Sequence, residues 1–144
     1  FHQNFERATN QLETDITVIV GNPPYSVGQK SGNDNNQNVA YKHLDKALAS
    51  TYVAKSNATL NRNAYDTYIK AFRWATDRIG DNGVVGFVSN GAYIDGVALD
   101  GFRQCLLEDF NSVYVFNLRG NQRTSENYQE KREAKYLDPA QEHR

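Results

Sequence analysis

Apolar and polar positions along this chain fall into short continuous apolar runs separated by longer stretches of mixed character. The runs ITVIV (16–20), VVGFV (84–88) and SVYVFNL (112–118) are rich in β-branched residues. This pattern is typical of parallel strands that are covered on both faces. Strands with helical segments between them predict an α/β sheet with right-handed crossovers.

Three other segments have helical spacing of their apolar residues, at 39–53, 64–79 and 99–110. The second is the clearest, because Tyr65, Tyr68, Phe72 and other apolar residues recur every three or four positions. Its aromatic residues, Trp74 included, are therefore expected to form core and not a base-stacking surface. Because Trp74 lies off the stripe, it is expected to pack on a second face or on another domain. Residue 63 is an asparagine, which predicts an N-cap, and GDNG at 80–83 predicts the end of this helix.

Two polar loops with aromatic residues follow the first two predicted strands. NPPY (22–25) comes after the first strand, and SNGAY (89–93) comes after the second. Ligands of such sheets bind outside the carboxyl ends of the strands. Both loops are therefore predicted to share the edge where a substrate would bind, with Ser89, Asn90 and Tyr93 as candidate contacts.

Composition narrows the possible classes of function. Hydrophobic residues make up 39% of the 144 residues, enough for a core, and the net charge of −1 argues against a free-standing nucleic-acid binder with a basic stripe. A single cysteine excludes an internal disulfide framework, and three scattered histidines predict no metal site. No signal peptide or apolar run of membrane length is present, so a cytoplasmic location without membrane contact is expected.

The NPPY stretch, which we call the hook (residues 22–25), has a clear physical consequence. Two successive prolines cannot extend a strand, and Asn22 is biased to an extended backbone because it precedes Pro23. The hook therefore presents the Asn22 side chain and backbone carbonyls as hydrogen-bond acceptors beside the Tyr25 ring. Acceptors next to a flat ring suit a planar substrate with an –NH₂ group. An ordinary strand-ending turn is the alternative interpretation.

The hook resembles motif IV of amino-methyltransferases that use S-adenosylmethionine. The resemblance implies that Asn22, Pro23, Pro24 and Tyr25 form the catalytic loop, with Asn22 and the Pro23 carbonyl accepting hydrogen bonds from the adenine –NH₂. It also implies that Tyr25 stacks on an adenine flipped out of double-stranded DNA. The family reaction is a direct displacement at the sulfonium methyl group.

Further blocks are similar to the methyltransferase region of large single-chain restriction–modification enzymes with a helicase-like ATPase. They are AYDTYIKAFRWATDRI, GVVGFVSNGAYID and VYVFNLRGNQRTS, and the similarity covers roughly residues 14–125. The resemblance implies a partial Rossmann-like methyltransferase fold, a three-layer αβα arrangement holding the C-terminal part of the sheet. It implies ATPase, target-recognition and nuclease domains as partners in the parent chain. Residues 126–144 are predicted to form a charged helix or tail.

This sequence also departs from the family pattern. No glycine-rich loop for the methionine end of the cofactor precedes Ile16, and the acidic residue that would hold the cofactor ribose is missing. The chain is therefore expected to be a fragment that contains the catalytic loop without most of the S-adenosylmethionine pocket, and to be inactive alone.

Several residues have competing interpretations. Arg119 and Arg123 could contact DNA phosphate or could be solvated charge, and the latter is favoured. Asp66 lies near a predicted helix start, where a carboxylate favours the helix dipole. Cys105 is interpreted as a small core residue.

Three functions remain open from the sequence. The first is an adenine DNA methyltransferase module of a restriction–modification enzyme. The second is the same chemistry on a protein glutamine or an RNA base, since these also present a planar –NH₂ group; a cytosine target is less favoured. The third is a non-catalytic structural spacer. The sequence upstream would discriminate them, since a glycine-rich turn after a strand supports the enzyme interpretations.

Overall fold

A computed structural model describes residues 2–24, 40–118 and 133–136 of the chain. Its helices are α1 (His2–Glu13), α2 (Lys42–Leu48), α3 (Thr67–Arg78), α4 (Ala92–Asp95) and α5 (Asp100–Asp109). Its strands are β1 (Val18–Gly21), β2 (Val84–Phe87), β3 (Tyr114–Asn117) and β4 (Glu133–Tyr136). Helix α2 continues as a π-helical turn over Ala49–Val53, and 3₁₀ turns lie at Arg62–Tyr65 and Val97–Leu99. In the described ranges, no helix has the length and apolar character needed to cross a membrane.

The core lies between α2 with its π-helical turn, α3 and α5. Tyr52 meets Phe102 edge to face with 5.0 Å between ring centroids, and Phe72 meets Phe102 at 5.3 Å. The prediction that the aromatic residues of segment 64–79 form core is confirmed for Tyr65, Tyr68 and Phe72, whereas Trp74 is half exposed. Cys105 is buried as expected. The buried cluster consists of Leu48, Tyr52, Ala64, Tyr68, Ile69, Leu99, Phe102, Cys105 and Leu106.

Helix α3 begins three residues later than the sequence indicated. Asp66 is its N-cap, and the Asp66 carboxylate accepts a hydrogen bond from the backbone N–H of Tyr68. The predicted cap, Asn63, lies instead inside the preceding 3₁₀ turn, where its carbonyl accepts from the N–H of Asp66. The dipole role expected of Asp66 is thus realised as a cap. Gly80, with φ of 71°, follows the helix in the left-handed region and ends it as predicted.

Strands β1 and β2 form the predicted parallel pair. Val18 pairs with Val84, and Gly21 pairs with Phe87. One face of this pair packs against α3, since Phe87 and Phe72 meet edge to face at 4.9 Å. The two strands therefore end at the same edge, as the α/β prediction requires.

The expectation that these strands are covered on both faces is wrong for the described residues. Val18, Val20, Val84 and Val88 are 59%, 74%, 62% and 63% exposed. Because side chains alternate along a strand, these four residues lie on the face opposite α3, and we call them the valine face. Helices cover one face of the pair and no described element covers the other.

The third predicted strand is present, but it does not join the parallel pair. Strand β3 pairs antiparallel with β4, with Tyr114 opposite Tyr136 and Asn117 opposite Glu133. Four residues of the segment predicted as a charged helix or tail are therefore a strand. Glu, Ala and Lys favour helices locally, and the backbone ladder with β3 overrides that weak preference.

Candidate active site at the carboxyl edge of the parallel strands

The carboxyl ends of β1 and β2 are held together by a backbone hydrogen bond. The N–H of Val88 donates to the carbonyl of Gly21 at 2.9 Å. Asn22 directly follows Gly21 and Ser89 directly follows Val88, so the two predicted loops leave the sheet side by side. The prediction that they share one edge is confirmed.

The described part of the hook combines an exposed amide with a buried ring. Asn22 and Pro24 are exposed, whereas Pro23 is buried. The Asn22 side chain makes no hydrogen bond to the part of the chain that the structure describes. Because Pro23 and Pro24 have no N–H, the backbone of this turn offers carbonyl acceptors without N–H donors at two consecutive positions. Tyr25 lies outside the described residues.

Aromatic side chains pack beneath the residue that precedes the hook. The Phe87 ring lies beside Gly21, where an added Cβ would meet it at 3.4 Å. Phe87 packs on Phe72, and Phe72 in turn lies 6.0 Å from the ring of Tyr93. Gly21, the residue immediately before Asn22, therefore contacts side chains that pack against the core, and this contact positions the start of the hook.

The residues after β2 form a compact turn, which we call the 89–96 segment. The Asn90 side-chain oxygen accepts from the N–H of Ala92 at 2.6 Å and so begins α4. The Ser89 hydroxyl points to its neighbour's carbonyl at 3.5 Å, a weak contact. The three predicted contacts Ser89, Asn90 and Tyr93 are thus brought to the edge, where at least Asn90 also maintains the turn itself.

Tyr93 anchors the 89–96 segment to the core. Its ring meets Phe102 nearly perpendicularly, at 89° and 5.6 Å between centroids. Burial raises the pKa of the Tyr93 hydroxyl, and a hydrogen bond with Ser89 opposes that shift. The ring is therefore committed to packing, and its hydroxyl stays protonated at neutral pH.

Sequence reasoning missed Arg103, which lies on α5 and reaches the 89–96 segment. Its Nη1 donates to the carbonyl of Tyr93 at 2.8 Å and to that of Gly96 at 2.9 Å. Both acceptors are backbone atoms, which no side-chain pattern reveals. The only available signal was an arginine on a helix otherwise expected to pack by its apolar face.

Arg119 and Arg123 lie outside the described residues, so the structure does not show whether they approach the edge. Among the residues that it does describe, no group of three His, Cys, Asp or Glu side chains could hold a metal ion.

A second concave surface lies at the opposite, amino end of β1. This groove has a volume of about 560 Å³ and is mostly apolar, with Leu12, Ile16 and the half-exposed Trp74 in its wall. Arg78 closes one side, donating through Nη2 to the carbonyls of Gln11 and Thr14 at 2.6 and 2.7 Å. It has no acceptor cluster like that of the hook.

Comparison with known proteins adds an independent line of evidence. The family model described as Eco57I restriction-modification methylase matches residues 1–124. No curated protein matches the chain.

Three solved structures, two of them of Type ISP restriction–modification enzymes, are similar to the chain. One is a nuclease-deletion mutant of the Type ISP restriction-modification enzyme LlaGI in complex with a DNA substrate mimic, with 50% identity over 85% of this chain and a TM-score of 0.76. A DrdV–DNA complex shares 45% identity over 76% of the chain, with a TM-score of 0.68. The ATP-dependent Type ISP enzyme LlaBIII bound to DNA shares 50% over 73%, with a TM-score of 0.65. The chain spans only 12%, 11% and 7% of these three proteins.

Proposed function

This chain belongs to the Eco57I restriction-modification methylase family, and from that premise we propose that it carries the amine-binding loop of an adenine-specific DNA methyltransferase. The reaction is transfer of a methyl group from S-adenosylmethionine to the exocyclic –NH₂ of adenine. The observation that carries the proposal is the hook itself, an exposed Asn22 amide beside a buried Pro23 at the carboxyl edge of a parallel strand pair.

The hook acts on the nucleophile. The Asn22 side-chain oxygen and the Pro23 carbonyl each accept one hydrogen of the substrate –NH₂. Holding both hydrogens turns the nitrogen lone pair out of conjugation with the ring and leaves it free to attack. Rigid acceptors need no reorganisation when charge develops on nitrogen, which is the main source of such stabilisation. Tyr25 stacks on the flipped base in this proposal.

The 89–96 segment forms the second wall of the same edge. Ser89, Asn90 and Tyr93 border the position that a base held by Asn22 would occupy, because Val88 and Gly21 are joined by a hydrogen bond. For Arg119 and Arg123, contact with DNA phosphates stays a prediction from the sequence.

The described residues do not by themselves fit S-adenosylmethionine. Strand β1 ends at Gly21, and the two prolines that follow Asn22 have no N–H groups to donate to the carboxylate of the cofactor. The first described strand is preceded by an exposed polar helix, not by a glycine-rich turn. The cofactor would therefore be held mainly by residues outside this chain, and we propose that the chain alone is inactive.

The valine face supports the finer proposal of a three-layer αβα fold. Parallel strands occur almost only with both faces covered, and four exposed valines side by side are apolar surface without a partner among the described elements. A helical layer and the ATPase, target-recognition and nuclease domains would come from the rest of a longer polypeptide. The LlaGI and LlaBIII structures are DNA-bound Type ISP enzymes, and this chain matches only a small part of each.

Methyl transfer by an Asn22→Ala variant tests the proposal. In the full-length parent, labelled methyl transfer from S-adenosylmethionine to adenine in DNA should fall at least about 100-fold, corresponding to about 3 kcal/mol of transition-state stabilisation. The thermal midpoint should stay unchanged, because Asn22 is exposed. Asn82→Ala is the matched control. Asn82 is also an exposed amide, but it lies in the turn before β2, at the amino end of the parallel pair and away from the hook.

Undiminished transfer by the Asn22→Ala variant would refute the catalytic role of the hook. A parent that binds DNA but labels no adenine would favour a structural spacer, or an enzyme acting on another –NH₂ group such as a protein glutamine or an RNA base.

A further inference from the structure

We propose that Arg103 is a positioning residue that holds the 89–96 segment against the amine-binding edge. The inference rests on the proposed function, because it names a residue outside the hook that supports the same site. Arg103 lies on α5 and donates to two backbone carbonyls of the segment, those of Tyr93 and Gly96.

The segment needs such support because α4 is only four residues long. Around this helix, the N–H of Ile94 donates to the carbonyl of Gly91 and the N–H of Gly96 donates to the carbonyl of Ala92, both at 3.0 Å. The last carbonyls of any helix have no partner within it, and a single turn is marginal by itself. The Arg103 guanidinium donates to the carbonyl of Tyr93 within α4 and to that of Gly96 directly after it. The Gly96 carbonyl also accepts from the N–H of Leu99 at 3.0 Å, so Arg103 adds a second hydrogen bond there.

The polar side chains at the start of the segment are used to maintain its shape. The Asn90 side chain accepts from the N–H of Ala92 just before α4, and the ring of Tyr93 packs against both Phe72 and Phe102. Arg103 secures the far end of the turn. The segment is therefore held in its middle by the packing of the Tyr93 ring, and at its middle and far end by the hydrogen bonds of Arg103.

A shift of this segment would reach the substrate edge directly. Ser89 follows Val88, whose N–H is bonded to the Gly21 carbonyl beside Asn22. Misplacement by about 1 Å of groups that orient a substrate can cost about 100-fold in rate. Loss of the Arg103 contacts should therefore lower kcat more than it changes the affinity for DNA, because Arg103 Nη1 is engaged with two backbone carbonyls of the protein itself.

Arginine at position 78 offers a closely matched control. Arg78 also donates from one terminal nitrogen to two backbone carbonyls, those of Gln11 and Thr14, but at the amino end of β1. Removing either guanidinium deletes the same number and type of hydrogen bonds. Only Arg103 braces the carboxyl edge.

The first arm of the test is amide hydrogen exchange on the 144-residue chain. Arg103→Gln should speed exchange of the Ile94 and Gly96 amides at least about 10-fold, since the turn that protects them loses its brace. The Val88 amide between β1 and β2 should keep its protection. Arg78→Gln should leave the amides of the 89–96 segment unchanged.

The second arm is methyl transfer to DNA by the full-length parent. Arg103→Gln should lower kcat about 10- to 100-fold with the KM for DNA within about 2-fold, and Arg103→Lys should recover part of kcat because an ammonium still donates to carbonyls. Arg78→Gln should retain wild-type kcat. If Arg103→Gln does not fold, Arg103→Lys carries both arms.

The proposal is overturned if exchange in the segment is unchanged, if kcat is unchanged while exchange rises, or if Arg78→Gln lowers kcat equally. Failure of the proposed function looks different, because the wild-type parent would then label no adenine. The exchange arm would still report whether Arg103 braces the segment.

Discussion

At the scale of single residues, the role that we propose for the hook depends on neighbours in sequence that have opposite environments. Pro23 is buried and fixes the backbone, while Asn22 before it is exposed and keeps its acceptor available. A single buried ring thereby orients an exposed amide at no cost in side-chain entropy, since proline has none to lose. The chemistry and the anchoring are divided between two adjacent residues.

Gly101 is a residue whose importance comes from a close approach of two backbones. A Cβ added there would lie 2.0 Å from the Tyr52 carbonyl oxygen and 2.7 Å from the Ser56 nitrogen. We expect Gly101→Ala to lower the free energy of unfolding by about 3 kcal/mol or more, because backbone atoms cannot move aside as a side chain can.

Urea unfolding of the 144-residue chain measures this cost. Gly86→Ala is the control, since its Cβ would meet only Val20 Cγ1 at an ordinary 3.5 Å. Equal losses of stability in the two variants would contradict the close approach at Gly101.

The sequence was informative about residues whose roles are local. The strand before Asn22 and the two prolines after it were enough to predict a rigid acceptor turn. The cap of α3 was assigned to Asn63 instead of Asp66, because a 3₁₀ turn precedes the helix and both residues are good caps. The role of Arg103 could not be predicted, because its partners are carbonyls of a distant segment.

At the scale of elements, Asp100 joins the start of α5 to the chain that follows the π-helical turn. Its carboxylate accepts hydrogen bonds from the Ser56 hydroxyl and from the backbone N–H groups of Asn57 and Gly101. Burial alone would raise the pKa of Asp100, but these hydrogen bonds outweigh it and hold the pKa below its usual value.

Stability should therefore depend on pH in a defined direction. Because the pKa of Asp100 is depressed in the folded state, its contribution is complete above the unfolded pKa of about 4 and is lost as the pH falls through the folded value. Asp100→Asn should be less stable than wild type at pH 7, and the difference should shrink below about pH 4. Urea unfolding at several pH values measures it, and a difference that stays constant down to acid pH would contradict this role.

Helices were easier to predict than strand partners. The apolar periodicity of α3 and α5 depends only on residues within each helix, and both helices lie within three residues of the predicted bounds. Strand β3 was also found, but its partner β4 could not be predicted, because pairing depends on distant backbone groups and not on local composition. Coverage of a strand depends in the same way on elements that its own sequence does not specify.

At the scale of the whole molecule, the valine face predicts how substitutions respond to context. In the 144-residue chain, Val20→Thr should change the free energy of unfolding by less than about 0.5 kcal/mol, because Val20 is largely exposed. Val115→Thr should cost about 1–3 kcal/mol, because Val115 is buried and a hydroxyl there loses water.

The same pair of variants in the longer parent completes this measurement. If a helical layer covers the valine face there, Val20→Thr should become about as costly as Val115→Thr. A negligible cost in both contexts would argue against the proposed third layer.

The pairing of β1 with β2 also determines when the hook can take shape during synthesis. Val18 pairs with Val84, and the carbonyl next to Asn22 is held by the N–H of Val88, so everything between them must be made first. Pairing strands this far apart in sequence is slow, because the entropy of closing the loop between them is lost before their contacts form. A nascent chain stalled on the ribosome before Val88 emerges would carry the NPPY residues without this strand pairing, and the turn that we propose to bind the amine would take its final shape only once β2 had paired with β1.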